Sequence, residues 1–94
     1  MRSHHLMFEG HDIAIRYTTD DQPWLDALTL CNLLGYPDWQ SALLEHCHPA
    51  GILFGDDEIP QPFISLDNLQ RLTTHAVSPQ TRRLHHWLRQ LQRP

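Results

Sequence analysis

Gln22-Pro23-Trp24-Leu25-Asp26-Ala27-Leu28-Thr29-Leu30-Cys31-Asn32-Leu33-Leu34-Gly35-Tyr36 decides how this chain reads. Pro23 has no amide proton, so it belongs at the start or edge of a strand. Pro23-Trp24-Leu25 then reads as that strand. Asp26 follows as an N-cap, its carboxylate able to accept from the unpaired amides of a first helical turn. Ala27, Leu30, Cys31 and Leu34 fall at i, i+3, i+4 and i+7, which is one helical face. Leu28 and Leu33 add apolar surface off that face and predict a helix buried on most sides. Gly35 suits the left-handed position that closes a helix. Pro37 suits the first turn of a second helix, with Trp39, Ala42, Leu43 and Cys47 inward. Asp26 is the only carboxylate or basic side chain from Gln22 to Tyr36. The segment is therefore a scaffold and not a reader of a nucleic-acid groove.

Reading outward, Leu6-Met7-Phe8 forms a first strand and Glu9-Gly10-His11 a turn. From Asp12 to Thr18 the chain alternates: Ile13, Ile15 and Tyr17 on one side, Ala14, Arg16 and Thr18 on the other. Thr19 to Gln22 is a polar turn. Downstream, His48-Pro49-Ala50-Gly51 breaks the second helix. Ile52-Leu53-Phe54 and Phe63-Ile64 are two short strands, joined by an acidic, proline-bearing wing from Gly55 to Pro62. Ser65 caps a third helix with Leu66, Leu69, Leu72 and Ala76 inward. Ser78 and Pro79 open the last helix as N-cap and N1, and Leu84, Trp87, Leu88 and Leu91 form its apolar stripe. The expected fold is α+β: a small antiparallel sheet with a hairpin or wing, packed against about four short helices. Its expected core is Trp24, Leu30, Cys31, Leu34, Trp39, Leu43, Phe63, Leu69, Leu72, Leu84, Trp87 and Leu91.

Ninety-four residues allow one core, expected over residues 6–92 behind a flexible lead of residues 1–5. No apolar run reaches the length of a membrane span, and no signal-peptide core follows Met1-Arg2-Ser3-His4-His5. A cytoplasmic protein is expected, with Cys31 and Cys47 as reduced thiols. The net charge of −4 is unevenly spread: residues 1–66 carry −8 and residues 67–94 carry +4, every basic residue being arginine. Such asymmetry points to a basic working surface near the C-terminus or to an electrostatic match between the two ends.

Taken together, these motifs resemble the Bro-N domain of phage and prophage antirepressor-type proteins and baculovirus repeated-ORF proteins. Phe8-Glu9-Gly10-His11-Asp12-Ile13 resembles the family's first hairpin. Trp24-Leu25 with Ala27, Cys31, Leu34, Gly35, Tyr36 and Ala42 resembles its central strand, helix and Leu-Gly-Tyr turn. Phe63-Ile64-Ser65, Leu69, Leu72, Pro79, Arg82 and Trp87 resemble its second half. The chain departs from the pattern at Leu28-Thr29-Leu30, at Asn68-Leu69-Gln70 and at residues 73–77. The resemblance covers about residues 6–92 and implies an α+β DNA-binding module used in transcriptional control.

The best candidate contact surface is the last helix. Arg82, His86, Arg89 and Arg93 recur at i, i+4, i+7 and i+11, opposite the Leu/Trp stripe, with Arg83 beside them. Arginine forks onto phosphate oxygens and guanine edges. Three uses fit such a face: an ordinary solvated helix surface, nucleic-acid contact, or contact with an acidic protein. Each neutralised phosphate contributes about −0.9 to the salt slope, so a handful of arginines gives modest affinity and a homodimer would double it. The expected function is a small regulator of prophage type binding DNA through this helix as a dimer. The alternative is an antirepressor-type module that blocks another regulatory protein. No metal, cofactor or catalytic residue is expected. Cys31, His46, Cys47 and His48 are zinc-ligand types, but three are consecutive and diverge by about 100° per residue on a helix. The acids Asp56-Asp57-Glu58 lack the spacing of a calcium loop. No phosphate-cradling glycine loop or nucleophile elbow is present.

Overall fold

The five strands Arg2–Phe8 (β1), His11–Tyr17 (β2), Pro23–Asp26 (β3), Ile52–Phe54 (β4) and Pro62–Ser65 (β5) of the computed structural model pair into one antiparallel sheet, ordered β1-β2-β3-β5-β4. Four helices, Ala27–Leu33 (α1), Trp39–His46 (α2), Leu66–His75 (α3) and Thr81–Leu91 (α4), complete an α+β fold. The structure describes residues 2–54, 61–76 and 78–91. The acidic stretch expected as a wing falls largely on residues 55–60, outside the described residues.

The meander and the second hairpin are one sheet because β5 pairs beside β3. Ile15, Leu25, Ile64 and Ile52 stand in register across four strands. Helices α1 and α3 pack on this row, α2 packs on α1 and α3, and α4 packs on α3. Leu30, Cys31, Leu34, Leu43, Leu69, Leu72 and Leu84 fill the layer between. Full burial of one such leucine contributes about 1.5–3 kcal/mol.

Strand alternation sends the neighbouring rows the other way. Trp24 and Phe63 lie on the opposite face of the sheet, outside the main cluster; Trp24 departs from its expected place in the core, whereas Phe63 is buried as expected. Phe63 is buried there under the guanidinium of Arg16, 4.5 Å from its ring centroid. Trp24 is half-buried, and its Nε1 is buried without an acceptor among the described residues. Trp39 and Trp87 pack at the margin of the core and not in its centre. The side chain of Leu91 lies outside the described residues.

The decisive segment folds as expected, with one difference. Asp26 caps α1, accepting from the Leu28 amide at 3.0 Å and the Thr29 hydroxyl at 2.7 Å. Gly35 closes it at φ +86. Leu28, however, is on a solvent-facing side of α1 with Asn32. The second helix also starts later than Pro37. Asp38 is its cap, accepting from the Gln40 amide at 3.1 Å and the Ser41 hydroxyl at 2.7 Å. Both helices thus begin with an aspartate followed three residues later by a hydroxyl, and Pro37 only precedes the cap. The last helix likewise starts at Thr81, not Pro79. Ser78 sits in the turn before it, accepting from Thr81 N at 3.1 Å through its carbonyl.

The first strand is longer than its apolar residues suggested. Arg2 to His5 pair with Tyr17 to Ala14, so residues 2–5 are part of the sheet and not a flexible lead. The long alternating β2 supplies a template that polar residues can also join. Glu9 and Gly10, both at positive φ, make the two-residue turn that this hairpin needs.

Candidate functional site

Helix α4 is held by its apolar stripe. Leu84 is fully buried, and the Trp87 ring tilts against Phe8 with centroids 5.5 Å apart. The opposite side presents Arg82, His86 and Arg89, all exposed, with His85 half-buried beside them. These four side chains line a shallow depression of about 240 Å³. A larger depression of about 640 Å³ adjoins it at the start of the helix, where Ser78, Thr81, Arg82, Arg83 and His85 meet. The two share Arg82 and His85 and form a continuous basic trough. Neither Arg82 nor Arg89 is paired with a carboxylate among the described residues.

Arg83 behaves differently. Its guanidinium forks onto Glu9, with Nε donating to Oε1 and the second nitrogen to Oε2 at 3.2 Å. The Glu9 carboxylate holds the guanidinium pKa above its ordinary value. Arg83 therefore ties α4 to the β1–β2 turn; it lines only the depression at the start of the helix, whereas Arg82, His86 and Arg89 line the other. Its register explains the split, since one residue turns a helix by about 100°. Arg93 lies outside the described residues. His85 also joins this lining, although the expected set of Arg82, Arg83, His86, Arg89 and Arg93 leaves it out. Its i+3 spacing from Arg82 was the available signal. Its Nδ1 lies 3.4 Å from the Thr73 hydroxyl, which anchors the ring to α3.

The zinc-type residues disperse. Cys31 is buried in α1, where burial pushes its thiol up to about 12. Cys47 is pushed up to about 11, again chiefly by burial, and its sulfur lies 3.8 Å from the Asn68 carbonyl. The His46 ring stacks on His75 with centroids 4.6 Å apart. Among the described residues, no three of His, Cys, Asp or Glu converge on a common metal position. Two reactive-type cysteines held as neutral thiols are poor nucleophiles, since the thiolate is the reactive form.

No family model matches the sequence, and neither does any curated protein or solved structure. Among the described residues no helix is long and apolar enough to cross a membrane.

A second surface stands apart from the basic trough. Trp39, Leu43 and Leu44 of α2, with Pro49 and the β4 residues Ile52 and Phe54, line an apolar groove of about 440 Å³. Asn68, fully buried in α3, accepts from the His48 amide and donates to the His48 carbonyl, each at 2.9 Å.

Proposed function

We propose that this chain is a small regulator of transcription, similar to the Bro-N domain of phage and prophage antirepressor-type proteins, that binds duplex DNA through α4. The supporting observation is the exposed face of Arg82, His86 and Arg89, unpaired with carboxylates among the described residues and lining a trough. Arg82 and Arg89 are seven residues apart, about 10 Å along the helix axis. Each guanidinium offers a planar fork for phosphate oxygens. The helix is fixed by Leu84 and Trp87 beneath, so the two cations are presented without ordering a loop.

Two arginines give a salt slope of about −1.8 per copy, which is modest; two copies on one duplex give about −3.6. Function as a dimer follows from that arithmetic. The test is titration of random-sequence duplex at low salt with wild type, Arg82→Ala/Arg89→Ala and Arg83→Ala. Binding by wild type, loss in the double variant and retention in Arg83→Ala are expected. Absence of wild-type binding would sink the DNA reading. The same cationic face would then fit an acidic surface on another regulator, the antirepressor-type role.

A further inference from the structure

Of the two imidazoles in the basic trough, His85 is the one that the fold orients. Its ring is half-buried, with Nδ1 3.4 Å from the Thr73 hydroxyl of α3. Thr73 is buried, and its hydroxyl donates to the Gln70 carbonyl at 2.8 Å. A threonine hydroxyl carries one proton, so towards His85 its oxygen can only accept. Nδ1 is therefore the protonated nitrogen of the neutral ring, and Nε2 carries the lone pair. Among the described residues the ring has no other hydrogen-bond partner. His85 lines both depressions, beside Arg82 in each and beside Arg89 in the smaller one. His86 is exposed, and no hydrogen bond among the described residues fixes its ring.

We propose that His85 is a phosphate-binding residue that takes up a proton at Nε2 when an oxyanion enters the trough beside Arg82 and Arg89. This role rests on the reading of α4 as the DNA-contacting helix, and it makes that contact proton-linked. A lone pair at Nε2 repels a phosphate oxygen, whereas the protonated ring donates a charge-assisted hydrogen bond to it. The proton comes from solvent and returns there on release. Imidazole is the side chain whose ordinary charge change falls between about pH 5 and 8. Guanidinium keeps its charge throughout that range, and a phosphodiester stays anionic. The charged neighbours of His85 on α4 are Arg82 and Arg89, with His86 titratable beside them. From α3 it meets Thr73, and Ala76 shares the larger depression. The ionisable groups of that helix have other partners, Asp67 with Arg71 at 3.1 Å and His75 with His46. Glu9, on the β1–β2 turn, is engaged by Arg83. No carboxylate lines either depression, and among the described residues none is placed to hold a proton on His85. The negative charge that holds it has to come from a ligand.

Two measurements on the full chain test this. The first is NMR titration of the imidazoles between about pH 5 and 8, with and without sulfate, a tetrahedral oxyanion that does not titrate there. Signals of His85 are assigned by their loss in His85→Gln. Neutral His85 is expected to carry its proton on Nδ1. Sulfate is expected to move its titration to higher pH in wild type and not in Arg82→Ala/Arg89→Ala. A neutral ring protonated at Nε2, or a titration unmoved by sulfate, overturns the proposal without any DNA present. The second is duplex affinity at fixed salt. Wild type should weaken by about tenfold from about pH 6 to pH 8 as one linked proton is lost. His85→Gln should lose most of that dependence, with circular dichroism showing that the fold persists. His5→Gln, at an exposed site on β1, should keep it. Duplex binding with no pH dependence, or with the same dependence in His85→Gln, overturns this role while leaving the proposed function standing. Sulfate that moves His85 in a protein binding duplex at no pH upholds the oxyanion site and overturns the DNA reading alone.

Discussion

Single side chains decide several local outcomes, and Gly51 is the sharpest. A Cβ added there would collide with Asn68 Nδ2 and stand 2.6 Å from Ser65 Oγ. Asn68 cannot swing away without releasing both His48 backbone groups, and leaving buried polar groups unpaired is costly. Gly51→Ala should therefore destabilise the fold by about 1–3 kcal/mol, read as a lower urea midpoint. An unchanged midpoint would mean that Asn68 has an alternative rotamer. Cys31 carries a different prediction. Its folded pKa of about 12 exceeds the ordinary thiol value of 9.0. Between those values the unfolded chain has lost a proton that the folded chain keeps. Stability from this group is complete below about pH 9 and falls as pH rises through the folded value. Urea midpoints taken from neutral to alkaline pH should fall above about pH 9, and less steeply in Cys31→Ala. At this scale the sequence was most legible where one residue does one job. Asp26 as a cap and Gly35 as a helix stop were both readable. The role of Asn68 was not, because its partner lies twenty positions away on a loop.

At the scale of elements, α4 shows how far periodicity reaches. Its stripe and its basic face follow from spacing alone. The removal of Arg83 from that face depends on where the Glu9-Gly10 turn ends, which only the tertiary arrangement fixes. Two consecutive arginines should thus respond differently. Arg82→Ala should reduce the magnitude of the salt slope of duplex binding by about 0.9, whereas Arg83→Ala should leave it nearly unchanged. Arg83→Ala should instead lower the urea midpoint slightly, as loss of an exposed ion pair does. Equal effects of the two substitutions on the salt slope would merge them into one contact surface. Strand β3 teaches the complementary lesson. Its boundaries were readable, but the face taken by Trp24, expected in the core, was not. The face it takes is set by the register of Leu25 against Ile15 and Ile64, and no feature of Trp24 itself discloses that register.

For the whole molecule, class and element order were legible in the chain, while sheet order was not. A meander followed by a distant hairpin is compatible with two separate sheets. Only the insertion of β5 between β3 and β4 makes one. The joined sheet leaves β4 outermost. A homodimer, as the proposed function requires, would raise apparent stability with concentration. The thermal midpoint of wild type should then rise over a hundredfold range of protein concentration. A midpoint independent of concentration would count against the dimer.

The pairing of β5 with β3 also sets a timetable. Leu25 is joined to Ile64, 39 positions later in the chain. Leu33 O receives the hydroxyl of Ser78, and Leu72 O receives that of Tyr36. During synthesis at about 5–20 residues per second, the outer edge of β3 waits roughly 2–8 s for its neighbour to be made. Through that interval the nascent chain presents an open strand beside an apolar helix. A polypeptide cut short between residues 47 and 62 would hold the same state permanently, which makes it a substrate for chaperones and proteases and not a smaller version of the domain.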